Sequence, residues 1–279
     1  MRLERAVLAA AAVAVLCGSL QRATADDRNP LDTQLIVDLG WFFMSTDTRV
    51  RLDGESSNRT GTDINFDDTF GLGKFDRFRG EVLWRFADRH VVRAMYFRNN
   101  RSATRENSRT VDFGDQTYPV GITVTATSKL TIGQLSYDYA FLRREDYELA
   151  AGIGVHVLDM QLGLSAALAR PGQTTATEFG TDASTTAPLP VVGLRGVWRL
   201  SNSCYLTAQA QYFDLSFDRY SGSIIDLKTT AVWQASDHLG IGVGYNDFGF
   251  KFDIDDPGEF KGRLRWDYGG ALAFVSFMF

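Results

Sequence analysis

Apolar and polar residues alternate along most of this 279-residue chain. A period of two residues places successive side chains on opposite faces of a strand, so the pattern predicts β-structure throughout. Stretches rich in Val, Ile, Thr, Phe and Tyr predict ten strands, at about 33–53, 74–86, 91–103, 121–142, 147–164, 189–200, 204–217, 222–235, 239–254 and 260–279. Helix-period patterns are rare, so the predicted fold class is all-β.

The predicted connections alternate in length. Four of them are tight polar turns, at 87–90, 143–146, 201–203 and 236–238. Between these turns fall three long loops, at 54–73, 104–119 and 165–188, and two short connections, around 218–221 and 255–259. Long loops at one end and tight turns at the other are typical of outer-membrane β-barrels, whereas a soluble sandwich has no reason to sort its loops this way.

Near the tight turns, one face of most strands is apolar. In the first strand this face consists of Leu35, Val37, Leu39, Trp41 and Phe43. Six aromatic residues on this face, mostly close to strand ends, form a predicted membrane-interface girdle: Trp41, Trp84, Tyr137, Tyr139, Trp198 and Trp233. Amphipathic rings favour the boundary between hydrocarbon and water. We therefore expect the apolar face to point outward into lipid.

The opposite face carries nearly all of the charge. Its predicted network consists of Asp38, Arg77, Arg79, Glu81, Arg85, Arg93, Asp138, His156, Arg195, Arg199, Asp226 and Lys228. Inside a narrow barrel these groups must pair, because an unpaired buried ion costs several kcal/mol. Two hypotheses follow. The charges form a salt-bridged filling, or they line a narrow pore or binding cavity whose excess of arginine favours a small anionic solute.

Glycines share the charged face of two strands. They are Gly152 and Gly154 in the fifth predicted strand and Gly240, Gly242 and Gly244 in the ninth. Glycine at such positions leaves room for large neighbouring side chains or for a ligand.

Three strands change midway which positions are apolar. In the ninth predicted strand, Ile241, Val243 and Tyr245 give way to Phe248 and Phe250. The fifth and tenth strands show the same change. The sequence allows two explanations: a β-bulge, which shifts the phase by one residue, or outer halves that protrude beyond the lipid, where the phase is free.

The first 25 residues predict a cleavable signal peptide. Arg2 and Arg5 precede the apolar run 6–16, and 23–25 is a small-x-small cleavage site. A lipoprotein signal ending at Cys17 is the alternative. Residues 26–279 then form a single barrel domain. The 7 residues from 26 to 32, ahead of the first strand, are expected to be too few for a plug.

Charge and cysteine content narrow the possible partners. The chain has a formal net charge of −5, and removing the signal peptide, whose own net charge is +2, makes it −7. An acidic chain argues against nucleic acid as a partner. Cys204 is the only cysteine after the signal peptide, so we expect no internal disulfide and no cysteine-based metal site. An acidic stretch at 62–71 lacks the glycine and glutamate of a calcium loop, and no metal or cofactor is predicted.

A hydrolase acting on lipid or peptide at the outer rim is the alternative function. Such a site needs a base such as histidine beside serine or aspartate. His90 and His238 fall in tight turns, which leaves His156, with Asp159 three residues further on. A lone histidine on a strand is more often a hydrogen-bonded interior residue. We therefore predict no catalytic residues and no enzyme activity.

The chain ends on FVSFMF, residues 274–279, with Val275, Phe277 and Phe279 at alternate positions up to the last residue. This ending resembles the C-terminal signature of Gram-negative outer-membrane β-barrel proteins. The resemblance implies recognition by the barrel-assembly machinery and a place in the cell outer membrane, among its lipid and lipopolysaccharide.

The implied fold is a single antiparallel up-and-down transmembrane β-barrel, similar in size to the small OmpA/OmpW class. Ten strands would differ from the eight of that class, and eight or twelve stay open. The implied function is a structural barrel, or a porin-like narrow pore or small-solute-binding barrel with an arginine-rich lumen. A soluble periplasmic β protein is the remaining alternative.

Overall fold

The computed structural model describes residues 29–54, 60–72, 75–168, 177–217, 220–255 and 261–279. Thirteen β-strands and one short α-helix lie within these ranges. The predicted signal peptide, residues 1–25, lies outside them. No helix in the described part of the chain is long and apolar enough to cross a bilayer.

The strands vary widely in length. They are β1 (Leu35–Leu52), β2 (Ile64–Asn65), β3 (Phe75–Ala87), β4 (His90–Glu106), β5 (Val111–Phe113), β6 (Gln116–Tyr118), β7 (Thr123–Arg143), β8 (Tyr147–Leu168), β9 (Thr177–Ser201), β10 (Cys204–Phe217), β11 (Tyr220–Ser236), β12 (Leu239–Asp255) and β13 (Lys261–Met278). Helix α1 (Phe66–Phe70) follows β2. The short strands β2, β5 and β6 lie in connections.

The ten long strands form a closed antiparallel barrel. Each pairs with the next long strand along the chain, and β13 pairs with β1. At the seam the N–H of Phe279 donates to the carbonyl of Leu35 at 2.9 Å, and the N–H of Leu35 donates to the carbonyl of Phe279 at 3.1 Å. The last residue is therefore fixed by its backbone. The predicted ten-stranded barrel is confirmed.

Tight turns join the strands at one end of the barrel, at 88–89, 144–146, 202–203 and 237–238. At the other end, called the outer end here, β8 and β9 extend well beyond their predicted bounds. β8 continues to Leu168 and β9 begins at Thr177, so most of the loop predicted at 165–188 is strand. The alternation signal is weak there because neither face of the segment carries many large apolar side chains.

An exposed apolar belt surrounds the tight-turn half of the barrel. Trp41 and Trp84 are each 53% exposed on its surface, whereas Arg79 and Arg195 are only 5% and 4% exposed inside. On β1 the belt covers residues 35–43. At a rise of about 3.3 Å per residue and a tilt of about 40°, it is roughly 23 Å tall, close to the apolar band of a membrane barrel. Apolar side chains face out and charges face in, the reverse of a soluble barrel.

Beyond the belt the two faces exchange character. On β8, Asp159 and Gln161 are exposed on the outside, while Leu158, Met160 and Leu162 are buried inside. The β7–β8 ladder passes through this region without a register shift. The β12–β13 ladder is likewise unbroken. A bulge is therefore the wrong explanation for the phase changes, and the outer half protrudes beyond the lipid with an apolar interior.

Aromatic rings fill the interior of the outer half. Tyr268 packs against Phe42, Phe248 and Trp266, with ring centroids 5.3, 4.9 and 4.8 Å away. Phe97 contacts Phe42 at 5.9 Å. All five side chains are buried, and they come from β1, β4, β12 and β13. We call these five residues the aromatic core.

The long connections fold over the outer end. Asn65 caps α1 by accepting from the N–H of Asp68 at 3.1 Å, and Gly71 ends the helix with a φ of 69°. The β5–β6 hairpin is anchored by Tyr118, whose buried hydroxyl donates to the carbonyl of Leu164 at 2.7 Å. Parts of the loops predicted at 54–73 and 104–119 thus form small elements that cover the barrel.

Candidate functional site

Charged side chains cross the interior on the tight-turn side of the aromatic core. We call this set the ionic layer; its members are Arg79, Arg85, Arg93, Arg195, Lys228, Asp38, Glu81, Asp138, Glu148 and Asp226. They project from seven different strands, and all are buried or largely enclosed. Five are cations and five are anions, so the layer is electroneutral.

One half of the ionic layer is a continuous chain of ion pairs. Glu148, which is fully buried, accepts hydrogen bonds from Arg85 at 3.2 Å and from Arg195 at 2.5 Å. Arg195 also contacts Asp138 at 3.2 Å, and Arg93 contacts the same carboxylate at 2.6 Å. Each of the two carboxylates therefore joins two guanidinium groups through charge-assisted hydrogen bonds. Glu148 also lies 3.7 Å from a third guanidinium, that of Arg143.

The other half reaches across the lumen. Glu81 on β3 pairs with Lys228 on β11 and with Arg79 at 2.8 Å. Three strands separate β3 from β11 on the shorter way around the ring, so the Glu81–Lys228 pair spans the interior. Arg79 donates to the side-chain carbonyl of Asn246 at 2.6 Å, and the Asn246 amide donates to Asp226 at 2.6 Å.

Further contacts join opposite walls. Arg93 on β4 donates to Gln209 on β10, with three strands between them. The imidazole of His156 on β8 lies 5.9 Å from the ring of Phe248 on β12. Its Nε2 is 2.9 Å from the side-chain oxygen of Gln211. The interior is therefore bridged by side chains from facing strands.

His156 has no arrangement suited to catalysis. It is fully buried and hydrogen-bonded to Gln211, while Asp159 is exposed on the opposite face, because residues three apart in a strand point to opposite sides. His90 contacts the hydroxyl of Tyr137 at 2.6 Å, and His238 contacts the carbonyl of Met278 at 2.9 Å, both near tight turns. In the described ranges, no group of three His, Cys, Asp or Glu residues is placed to hold a metal ion.

Three predicted members of the charge network lie outside the ionic layer: His156, which contacts Gln211, and the arginines Arg77 and Arg199. Arg77 donates to the carbonyl of Asn100 at 2.9 Å, towards the outer end. Arg199 pairs with Asp146 at 2.8 Å, in a tight turn. The predicted network also lacked Glu148, although Glu148 shares the inward face of β8 with His156. These placements remove the arginine excess that the sequence suggested.

A small cavity of about 90 Å³ lies between the ionic layer and the tight-turn mouth. Its polar lining includes Asp38, Tyr205 and Thr230. Such a volume has room for a few water molecules.

The segment ahead of β1 closes this mouth. Leu31 is buried in an apolar cluster with Ile36, Val197, Tyr205, Val232 and Met278. Arg143 holds the segment by donating to the carbonyl of Leu31 at 2.8 Å and to Asp32 at 2.5 Å. In the described part of this segment, residues 29–32, Leu31 is thus packed inside the apolar mouth.

The inward glycines accommodate large neighbours. A Cβ added to Gly152 would lie 2.2 Å from a carboxylate oxygen of Asp138, and one added to Gly242 would lie 2.2 Å from the ring of Phe274. The space beside these glycines is therefore occupied by side chains of the barrel itself.

The predicted girdle and C-terminal residues all belong to the outward face. Tyr137 and Tyr139 are exposed like Trp41 and Trp84, while Trp198 and Trp233 are half-buried. Val275, Phe277 and Phe279 are exposed along β13 and at its end. Both sets therefore lie where lipid or an assembly factor can reach them.

Arg101 fixes helix α1 to the barrel wall. Its guanidinium pairs with Asp67 of the helix and donates to Thr46 at 2.9 Å and to Thr48 at 3.0 Å. Asp67 also accepts from the N–H of Thr48 at 2.6 Å. Burial lowers the pKa of Arg101, and the neighbouring Asp67 carboxylate acts in the opposite direction.

We expect Arg101→Met to release the loop that carries α1. The substitution keeps an unbranched side chain but leaves the Asp67 carboxylate without its buried cation, which favours local opening. Limited proteolysis of the folded protein should then cleave within residues 60–72 at least several-fold faster. Arg105→Met is the matched control, because Arg105 is exposed and makes only long contacts with loop carbonyls. Equal cleavage of the two variants would contradict the role of Arg101.

Comparison with solved structures agrees with this architecture. The outer-membrane protease OmpT of Escherichia coli is similar with a TM-score of 0.57 and 11% sequence identity, over 92% of this chain and 100% of OmpT. Ail of Yersinia pestis matches with a TM-score of 0.33 and 9% identity, over 88% of this chain and 99% of Ail. OprG of Pseudomonas aeruginosa matches with a TM-score of 0.34 and 11% identity, over 88% of this chain and 96% of OprG.

No protein-family model matches the sequence, and no curated protein matches it significantly. At 11% identity, the likeness to OmpT shows the fold alone. That fold is a bacterial outer-membrane β-barrel.

Proposed function

We propose that this chain, which has the fold of an outer-membrane β-barrel, is a closed structural barrel of the cell outer membrane. It fills its own lumen and holds a rigid wall across the bilayer. Its outer half, with a polar exterior, stands above the outer leaflet. The observation that carries this proposal is the set of side-chain contacts that join opposite walls, of which the Glu81–Lys228 pair is the clearest.

Three successive blocks support a closed lumen over a narrow pore. Leu31 fills the tight-turn mouth, the ionic layer bridges the middle, and the aromatic core fills the outer half. The ionic layer is electroneutral, so it offers no fixed positive charge to select a small anionic solute. Eight of its ten charged groups instead form ion pairs with one another, which lowers the cost of burying them.

The same geometry favours a non-catalytic role over the rim hydrolase. OmpT is a protease by its printed name, but the shared fold does not carry its activity to this chain. The three histidines of the sequence all lie at tight turns or inside the barrel, and His156 is separated from Asp159 by the barrel wall. The outer rim therefore has no histidine base.

We propose outer-membrane lipid and lipopolysaccharide as the surroundings of the belt. The predicted cleavable signal peptide would supply export. The barrel-assembly machinery would recognise Val275, Phe277 and Phe279, which are exposed on the last strand. Neither nucleic acid nor a cofactor has a part in this function.

Planar-bilayer recording tests the closed lumen. We expect no stepwise current from the folded, reconstituted protein, and folding is checked by the change in gel mobility on heating. Leu31→Asp should open the tight-turn mouth but stay silent as well, because the ionic layer and the aromatic core still close the lumen. Stepwise currents from the unmodified protein would overturn the proposal. Currents from Leu31→Asp alone would show a pore gated by the N-terminal segment.

A further inference from the structure

The barrel wall forks between β9 and β10. Their ladder ends at the pair Val192 and Tyr212, although β9 extends outward to Thr177 and β10 to Phe217. On their other sides both strands stay paired over these outer parts, β9 with β8 and β10 with β11. The two strands therefore diverge towards the outer end. We call the opening between them the wall notch.

Two prolines explain why the ladder stops. Pro188 and Pro190 lie on β9 just beyond the fork, where continued pairing would place them opposite Ser216 and Asp214. Proline has no N–H to donate, and within sheets it is confined to edges and bulges. β9 remains paired with β8 at both positions, so the hydrogen bonds that the prolines cannot donate are those to β10.

The exposure of Leu215 shows that the wall notch reaches the barrel interior. Alternate residues of β10 face inward, and two of them, Gln209 and Gln211, are buried. Leu215 continues this inward series yet is 54% exposed. Across the notch, Val191 and Leu189 of β9 are buried next to the fork. Apolar surface that faces the interior is thus accessible from outside.

The barrel wall has a second interruption, and that one is closed. The β3–β4 ladder ends at Arg79 and Phe97, although β4 continues to Glu106. Helix α1 covers this region, with Phe66 and Phe70 buried and Arg101 fixing it to the wall. Among the described residues, nothing closes the wall notch between β9 and β10 in the same way.

A groove on the lipid-facing surface leads to the fork. It has a volume of about 700 Å³, and its outward lining includes Leu135, Ile153 and Val192, all part of the apolar belt. Val191 and Phe213, which belong to the inward face, line its end. Because residues of both the outward and the inward face line the groove at the fork, the groove leads into the wall notch.

We infer that this groove and the wall notch bind an acyl chain of a lipid in the outer leaflet, which reaches the inward-facing residues Phe213 and Leu215. Three observations support this occupant. The groove is continuous with the lipid-facing belt, its lining is mostly apolar, with Ser136 and Asp214 as polar members, and therefore unfavourable for water, and the prolines remove donors that an added peptide strand would need.

Spin-label accessibility tests this inference. A nitroxide at Leu215→Cys, in a Cys204→Ser background reconstituted in phosphatidylcholine vesicles, should collide with oxygen, which concentrates in hydrocarbon, and not with a water-soluble nickel chelate. Ile225→Cys, on the belt beside Tyr212, is the lipid-facing control, and Thr104→Cys is the water-exposed control. We expect the accessibility ratio at 215 to match that at 225 within about two-fold.

Two other results would overturn the inference. Access of the nickel chelate to the label at 215 means a water-filled notch, and access of neither reagent means that protein fills it. Neither result contradicts the proposal that the lumen is closed, because that proposal rests on contacts across the interior and not on position 215.

The double variant Pro188→Thr/Pro190→Thr restores the backbone donors and should extend the β9–β10 ladder, so that the label at position 215 loses its oxygen access while the label at position 225 keeps it. Unchanged access at 215 would show that the prolines do not hold the notch open.

Discussion

Glu148→Gln is expected to lower the free energy of unfolding by about 3–5 kcal/mol, the usual cost of removing one partner from a buried ion pair. Glutamine has almost the same shape as glutamate, so the change removes charge and little packing. Arg85 and Arg195 then lose the carboxylate that both contact, deep inside the barrel. Urea unfolding of the folded protein in detergent, followed by tryptophan fluorescence, measures the effect.

A neighbouring glutamate provides the matched control. The Glu145 side chain is 87% exposed in the adjoining turn, and Glu145→Gln should change stability by less than about 0.5 kcal/mol. The triple variant Arg85→Met/Glu148→Leu/Arg195→Met should recover most of the loss, because it replaces the charges with apolar groups instead of leaving them unpaired. Equal stability of the two glutamine variants would show that the ionic layer is hydrated and does not bridge the lumen.

Trp266→Ala should cost about 3–5 kcal/mol, as large-to-small substitutions in a packed core do. Trp266 is completely buried and packs against Phe248 and Tyr268, whose ring centroids lie 5.7 and 4.8 Å away. The substitution leaves a cavity that the surrounding rings fill only in part. The midpoint and slope of urea unfolding report the loss, and added indole should restore part of it by occupying the cavity.

The matched substitution on the outside is Trp41→Ala. Trp41 is 53% exposed on the belt, where lipid can fill the vacated space, so its loss should cost clearly less than that of Trp266. Indole should have no effect on this variant. If Trp41→Ala proved the more damaging change, the interior of the outer half would not be the packed core described above.

The strand alternation was sufficient to predict most of the barrel. β10 was predicted with its observed bounds, and most other long strands within a few residues, because apolar and polar positions alternate along each strand even where the apolar face changes. β9 is the main exception. Its outer part alternates only small and polar residues, such as Thr181 and Ala183, and such a segment resembles a loop when pairing partners are unknown.

The site was harder to predict, because its features depend on which strands face each other. The inward parity of β8 marks Glu148 as an interior residue, but only the fold shows that Arg85 and Arg195 both reach it. The position of Leu31 in the mouth could not be predicted, because a single apolar residue before a strand does not indicate which part of the barrel it contacts. Pro188 and Pro190 acquire their meaning only from the fold, which places them where the β9–β10 ladder ends.

The electroneutrality of the ionic layer bears on how the barrel responds to voltage. A field across the membrane does work only on net charge that moves through it, about 2.3 kcal/mol per elementary charge at 100 mV. The formal charges of the ten groups cancel, and eight of the groups are fixed in ion pairs, so the layer presents no net formal charge to such a field. Polarising the membrane in either direction should therefore leave the shape of the barrel unchanged.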